Sequence, residues 1–215
     1  MKYYSQFGQD KWLYENIFKD KKNGFFIEIG ADDGIDKSNT KLFEDLGWDG
    51  ICIEPSPTRF NLLSQNRKCI CVNYAVSSTE GTQEFMDIIG WGKGLSGIVD
   101  KYCEKHKERI SLELNNKDNH GFNLINVQSK NLNNILSEYN INNIDFCSID
   151  TEGSEEDIIK SLDLEQYNIK VLLIENNYSS FDINMYLSKN GYYYLTTLEI
   201  DDVYISNSMP GFKIE

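Results

Sequence analysis

Several carboxylates in this chain fall where an apolar run ends and the backbone must turn. Glu28-Ile29-Gly30-Ala31-Asp32-Asp33-Gly34 crowds three acids around two glycines. Glycines let such a loop turn sharply and approach a ligand closely. A pyrophosphate site wants Gly-x-Gly-x-x-Gly before a helix amino terminus. Here the spacing is Gly-x-x-x-Gly. Glu28, Asp32 and Asp33 would repel a pyrophosphate and attract a ligand carrying sulfonium or ammonium charge. Asp-Asp-Gly also suits a plain turn. Glu54 closes the next apolar run, where a carboxylate can accept both hydroxyls of a ribose.

Further acids stand where a reacting group could be activated. Asp150 and Glu152 follow a third apolar run, and Glu175 ends a fourth. Asp150 can serve as a general base or a metal ligand, or simply cap the helix that starts near Glu155. With Glu175 it could hold Mg²⁺ through oxygen ligands. His106 lies in the charged run 104–109, which reads as a solvated helix face. His120 precedes Gly121 and reads as a loop residue, and either imidazole is a candidate base. Residues 90–97 combine four glycines with Trp91 and Lys93. That loop is either a lid whose indole packs on a sugar or an excursion with Trp91 docked on the core. Lys93 or Arg109 could pair with an anionic acceptor such as a nucleotide sugar.

The surrounding pattern supplies elements to position these groups. Helical spacing is expected over 8–19, a strand over 25–29, and a helix carrying Leu42, Phe43 and Leu46 behind a Ser38-Asn39 cap. Strand, helix and strand follow over 50–54, 58–67 and 69–77. Later come a strand at 144–150, a helix at 155–162, a strand at 170–175, a helix near 181–190, and a hairpin of 192–198 with 202–205. This alternation predicts a Rossmann-like α/β fold, a mostly parallel sheet with helices on both faces and a closing antiparallel hairpin. Residues 82–130 break the rhythm, with strands near 83–88 and 122–130 and a helix near 98–109. They read as an acceptor-shaping insertion within one domain spanning 1–215.

Composition narrows the partners. The formal net charge of -13 disfavours nucleic acid and anionic membrane surfaces. No apolar run is long enough to span a bilayer, and the first residues lack a signal-peptide core. The five cysteines are odd in number and form no Cys-x-x-Cys pair, so they read as reduced thiols of a cytoplasmic protein. Whether the chain forms a homo-oligomer stays open.

Four blocks resemble the FkbM-type methyltransferases: 5–10 (SQFGQD), 26–34 with Ser38-Asn39-Thr40, 53–57 with Asn66-Arg67, and 149–155 (IDTEGSE). Leu172-Leu173-Ile174-Glu175 fits as well, and Gln9 departs from the pattern where an acid is common. The resemblance implies a class I fold, S-adenosylmethionine as donor, and O-methylation of a sugar or glycoconjugate. It implies that Gly30 and Glu54 hold the cofactor. Glu28, Asp32, Gly34, Ser38, Asn39 and Ala75 complete the expected cofactor set, with Asp150, Glu152 and His120 as the catalytic candidates. The rivals are a nicotinamide-dependent sugar enzyme, disfavoured because Tyr102 and Lys105 do not make Tyr-x-x-x-Lys, and a non-catalytic methyltransferase-like partner module.

Overall fold

A computed structural model describes residues 1–115, 119–177 and 183–209, with the side chains of Asn119 and His120 outside that description. The chain opens with α1 (Gln9–Leu13), which continues as a π-helical turn over Tyr14–Phe18. Then follow β1 (Phe25–Ile29), α2 (Lys41–Asp45), β2 (Asp49–Ile53), α3 (Pro57–Asn66), β3 (Ile70–Val72) and β4 (Ala75–Val76). Next are β5 (Gly81–Gly90), a 3-10 turn over Trp91–Leu95, β6 (Gly97–Ile98), a second 3-10 turn over Val99–Lys101, α4 (Glu104–Leu114) and β7 (Asn119–Lys130). The remainder is α5 (Leu132–Glu138), β8 (Ile144–Ile149), α6 (Glu155–Ser161), β9 (Ile169–Glu175), α7 (Ile183–Lys189), β10 (Tyr192–Leu198) and β11 (Asp201–Ser206).

Seven strands form the main sheet in the order β10-β11-β9-β8-β1-β2-β3. The pairs from β3 through β9 are parallel, and β11 is antiparallel to both β9 and β10. Alternation along β1 explains why both faces are covered. Ile27 and Ile29 join a core with Leu132, Ile135 and Leu136 of α5, Ile158 and Ile159 of α6, and Ile183 and Leu187 of α7. Phe26 joins a second core with Leu13 and Phe18, Phe43 of α2 and Leu63 of α3. Side chains alternate across a strand, so each face takes its own helical layer. The strand order reverses between β1 and β8, which opens a crevice at their carboxyl ends.

The insertion builds a separate sheet, ordered β4-β7-β5-β6. The predicted strand over 69–77 is two strands, because Ala75 and Val76 leave the main sheet to pair with Ser129 and Lys130 of β7. The helix expected over 98–109 begins later, at Glu104, after the 3-10 turn. One helix went unread: α5 lies in an Asn-rich stretch, and the side chain of Asn131 caps it by accepting the Asn133 N–H. No helix among the described residues is long and apolar enough to cross a membrane. All five cysteines are free thiols.

Candidate active site

A cleft opens at the β1/β8 crevice. Of the expected cofactor residues, Glu28, Gly30, Asp32, Ser38, Asn39, Glu54 and Ala75 line it, as do Asp150 and Glu152. Gly30 has φ +83°, and a Cβ there would stand 1.8 Å from the Asp150 carbonyl oxygen, so only glycine lets β1 and β8 close at this point. Gly34 requires correction. It does not line the cleft; its φ is +80°, and a Cβ would meet Leu63 and Arg67 at 2.6 and 2.7 Å. Glycine is needed there for packing against α3.

Two of the loop carboxylates are neutralised within the protein, which corrects the expectation that they stand open to a cationic ligand. Buried Glu28 accepts hydrogen bonds from the Ser38 hydroxyl, the Asn39 N–H and the Thr40 hydroxyl, and Arg67 Nη1 stands 3.0 Å away. Glu28 therefore fixes the Ser38–Thr40 turn against α3. Asp32, at φ +47°, is 2.8 Å from Lys93 Nζ and 3.7 Å from Arg59 Nε. Lys93 is thereby tied to Asp32 and Asp36, not presented to an anionic acceptor. Asp33 accepts the N–H groups of Ile35 and Asp36, the plain-turn role.

Glu54 behaves differently. Its two oxygens accept the Asp32 and Ser56 N–H groups at 3.0 and 2.8 Å, which fixes the carboxylate while leaving each oxygen a lone pair. Burial pushes its pKa up to about 7, although Arg59 pulls the other way. Asn39 donates to the Ser148 hydroxyl, and its buried Oδ1 accepts no hydrogen bond among the described residues. An orphaned buried acceptor in a cleft is a place for a ligand donor.

A second cavity adjoins the first, sharing Asp36, Lys37, Asn39, Gly94, Asp150 and Glu152. Asp150, Glu152 and Glu175 meet at this junction, each offering an oxygen within 4.8 Å of the others. Burial and then Asp201 push Asp150 up to about 7. Burial, reinforced by Asp150, pushes Glu152 and Glu175 well above the usual carboxylate range. Asp150 does not cap α6, whose N-cap is Ser154. Glu155 folds back instead to accept the Thr151 hydroxyl and the Thr151 and Gly153 N–H groups. That clamp holds Glu152 at φ +57°, a left-handed conformation that non-glycine residues keep only when their surroundings impose it.

The histidine expectations change. His106 is not on a solvated face: it is 1% exposed and stacks on Tyr102. Its Nε2 lies 3.2 Å from the Leu95 carbonyl and its Nδ1 3.4 Å from Glu152 Oε2. Burial lowers its pKa, which favours the neutral ring. The His120 side chain lies outside the described residues. Trp91 is 76% exposed and lines the second cavity, so it is not docked on the core. Sequence reading missed Arg59 and the structural role of Arg67, although Asn66-Arg67 stood in one of the family-like blocks.

A parallel seven-stranded sheet with one reversed hairpin strand, helices on both faces, and a site at the carboxyl ends of β1, β2 and β8 defines a class I methyltransferase fold. Residues 28–194 match the model of the methyltransferase FkbM domain, and the chain belongs to that family of S-adenosylmethionine-dependent methyltransferases. Among solved structures, the chain is similar to the METTL16 MTase domain (13% identity, TM-score 0.47, 92% of this chain and 65% of that one). It is also similar to the N-terminal domain of human METTL16 (14%, 0.44, 91% and 67%) and to M. capricolum TrmK bound to S-adenosyl-homocysteine (11%, 0.43, 94% and 71%). The chain thus spans about two thirds of the length of the METTL16 structures. No curated protein matches the chain.

Proposed function

We propose that this chain methylates a hydroxyl group of a sugar, nucleotide sugar or glycoconjugate, with S-adenosylmethionine as donor. The observation that carries the reading is the meeting of two cavities at Asp150 and Glu152, one beside Glu54 and Asn39 and the other beside Glu175 and Trp91. The donor, when bound, supplies an electrophilic methyl carbon. Glu54, held by two backbone N–H groups, accepts the ribose hydroxyls. Asn39 Oδ1 accepts an ammonium hydrogen. Gly30 lets the backbone lie close to the ligand. These residues fit the donor because the unsatisfied acceptor and the remaining carboxylate lone pairs stand where it would present donors.

A sugar hydroxyl is a weak nucleophile at neutral pH, and the protein's task is alignment plus proton removal. Asp150 stands at the junction with a pKa near 7, suited to accept the hydroxyl proton on a carboxylate oxygen. Glu152 follows it in the same turn, steadied by His106. Asp150, Glu152 and Glu175 also fit Mg²⁺, since three clustered oxygens match a hard cation and their mutual repulsion would be relieved by it. The ion would supply Lewis acidity to the acceptor oxygen. The insertion shapes the second cavity through Trp91–Leu95 and α4.

Calorimetric titration with S-adenosylhomocysteine, with NAD in parallel, tests the donor. Micromolar binding of the former alone is expected, and binding of NAD alone would overturn the reading. Incubation with labelled donor and a panel of sugars, with and without chelator, then tests the acceptor and the metal. Label in a sugar methyl ether supports the proposal, a chelator-insensitive rate removes Mg²⁺, and label only in nitrogen-linked methyl groups removes O-methylation.

A further inference from the structure

We propose that the amino-terminal segment forms one wall of the acceptor cavity, and that Phe7, with Trp91, selects an acceptor by the apolar face of a pyranose ring. The inference rests on the sugar-methylation reading and names the part of the acceptor these residues recognise. Residues 1–27 precede the region matched by the family, so that match assigns them no role. The structure ties them down at several points. Ser5 bridges to Lys37 through the backbone. Asp10, fully buried, accepts the Tyr4 N–H at 2.7 Å and the Ser5 hydroxyl at 2.6 Å. The Tyr4 hydroxyl donates to Asp45.

Gln9 is the central tie. Its Nε2 donates to Asp201 Oδ2 at 2.5 Å, which joins the segment to the start of β11, and its Oε1 accepts the Phe7 N–H at 2.8 Å. Phe7 is therefore held between two anchored points, yet the residue remains 46% exposed. Keeping an aromatic ring in water on a segment pinned by buried polar contacts forgoes burial energy, unless a ligand covers the ring. Trp91 has the same character. It heads a turn fixed by Lys93 on Asp32 and by buried Leu95, and its indole stays exposed.

Phe7, Gln9 and Trp91 border one cavity, together with Asp150, Glu152 and Glu175. Aromatic faces pack on the C–H face of a pyranose, while carboxylates accept its hydroxyls. A lipid chain would leave those carboxylates unpaired. Apolar walls beside an accepting floor match a ring that is apolar on its faces and hydroxylated at its rim.

The test uses the full chain saturated with S-adenosylhomocysteine and probed with methyl glucoside, methyl rhamnoside and methyl fucoside by saturation-transfer NMR. Transfer to the ring C–H protons of at least one glycoside is expected. Phe7→Ala and Trp91→Ala should each weaken glycoside binding about three- to tenfold, the size of one aromatic contact. Phe7→Tyr should retain it, and the affinity for S-adenosylhomocysteine should not change in any of the three. Glycoside affinity that is unchanged in Phe7→Ala overturns this inference alone. A protein that binds S-adenosylhomocysteine but none of the glycosides overturns the sugar reading with it. Loss of S-adenosylhomocysteine binding in Phe7→Ala would make the segment structural and overturn the inference.

Discussion

Glu28 and Glu44 lie beside Arg67, whose Nη1 and Nε stand 3.0 and 3.1 Å from them, and Arg67 also donates to the Gly34 carbonyl and the Thr40 hydroxyl. On the other side of β1, Asp150, Glu152, Glu175 and Asp201 gather, with Arg109 standing 4.0 Å from Glu152. The consequences are opposite. Against the upward push of burial, Arg67 and Lys41 help bring Glu44 down to about 2. Burial and Asp201 drive Asp150 up to about 7. The first group is paired with cations and structural. The second is under-compensated, which is the state expected of groups that must exchange a proton or receive a cation.

The largest effect should come from breaking the satisfied side. Arg67→Met removes the cation shared by buried Glu28 and partly buried Glu44, leaving Glu28 with neutral donors alone and Glu44 with Lys41. A loss of about 3–5 kcal/mol in unfolding free energy is expected, measured by urea denaturation. A loss below about 1 kcal/mol would place the pair in the class of solvated bridges and remove the contrast.

Glu54 sharpens the comparison, because it is buried and structurally fixed yet, among the described residues, makes no ion pair and feels Arg59 only at longer range. Glu54→Gln keeps the shape of the side chain and loses one accepting oxygen. Its affinity for S-adenosylhomocysteine should fall about 10- to 100-fold, with a modest drop in the urea midpoint because the amide NH2 cannot accept the Asp32 or Ser56 N–H. The wild-type affinity should also weaken as the pH drops below about 7, where Glu54 takes up a proton, and calorimetry at pH 6 and pH 8 reads this. Unchanged affinity in the variant would remove Glu54 from the cofactor site.

Much of this was legible from residue patterns. Period-two burial and short apolar runs marked β1, β2, β8, β9 and the final hairpin, and the acids at their carboxyl ends marked the cleft. Three things were not legible. Ala75 and Val76 read as a continuation of β3, because a strand changing sheets leaves no trace in local periodicity. His106 sat in a charged run, Glu104-Lys105-His106-Lys107-Glu108-Arg109, whose hydrophilicity hid the one face of α4 that turns inward. The neutralisation of Asp32 depends on Lys93 and Arg59, far along the chain, and long-range charge pairing cannot be read from neighbours in sequence. Gln9 was visible as a departure from the family pattern, but its meaning required Asp201 at its side.

The smallest effect has the most distinctive sign. A carboxyl group whose pKa is raised by folding holds a proton in the folded chain at pH values where the unfolded chain has lost it. Stability then falls as the pH rises from the unfolded value, near 4, and the loss is complete above the folded value. For Asp150 the window ends at about 7, and for Asp201, raised by burial, at about 6. The protein should therefore be less stable at pH 8 than at pH 5, and Asp150→Asn should remove part of that slope. The variant should gain about 1–2 kcal/mol over wild type at pH 8 and nothing below pH 4, while losing methyl transfer. Urea titrations at pH 4, 5 and 8 decide it. A variant that is destabilised equally at all three values would mean that Asp150 is held by compensating contacts like those of Glu28, and the two sides of β1 would no longer differ in kind.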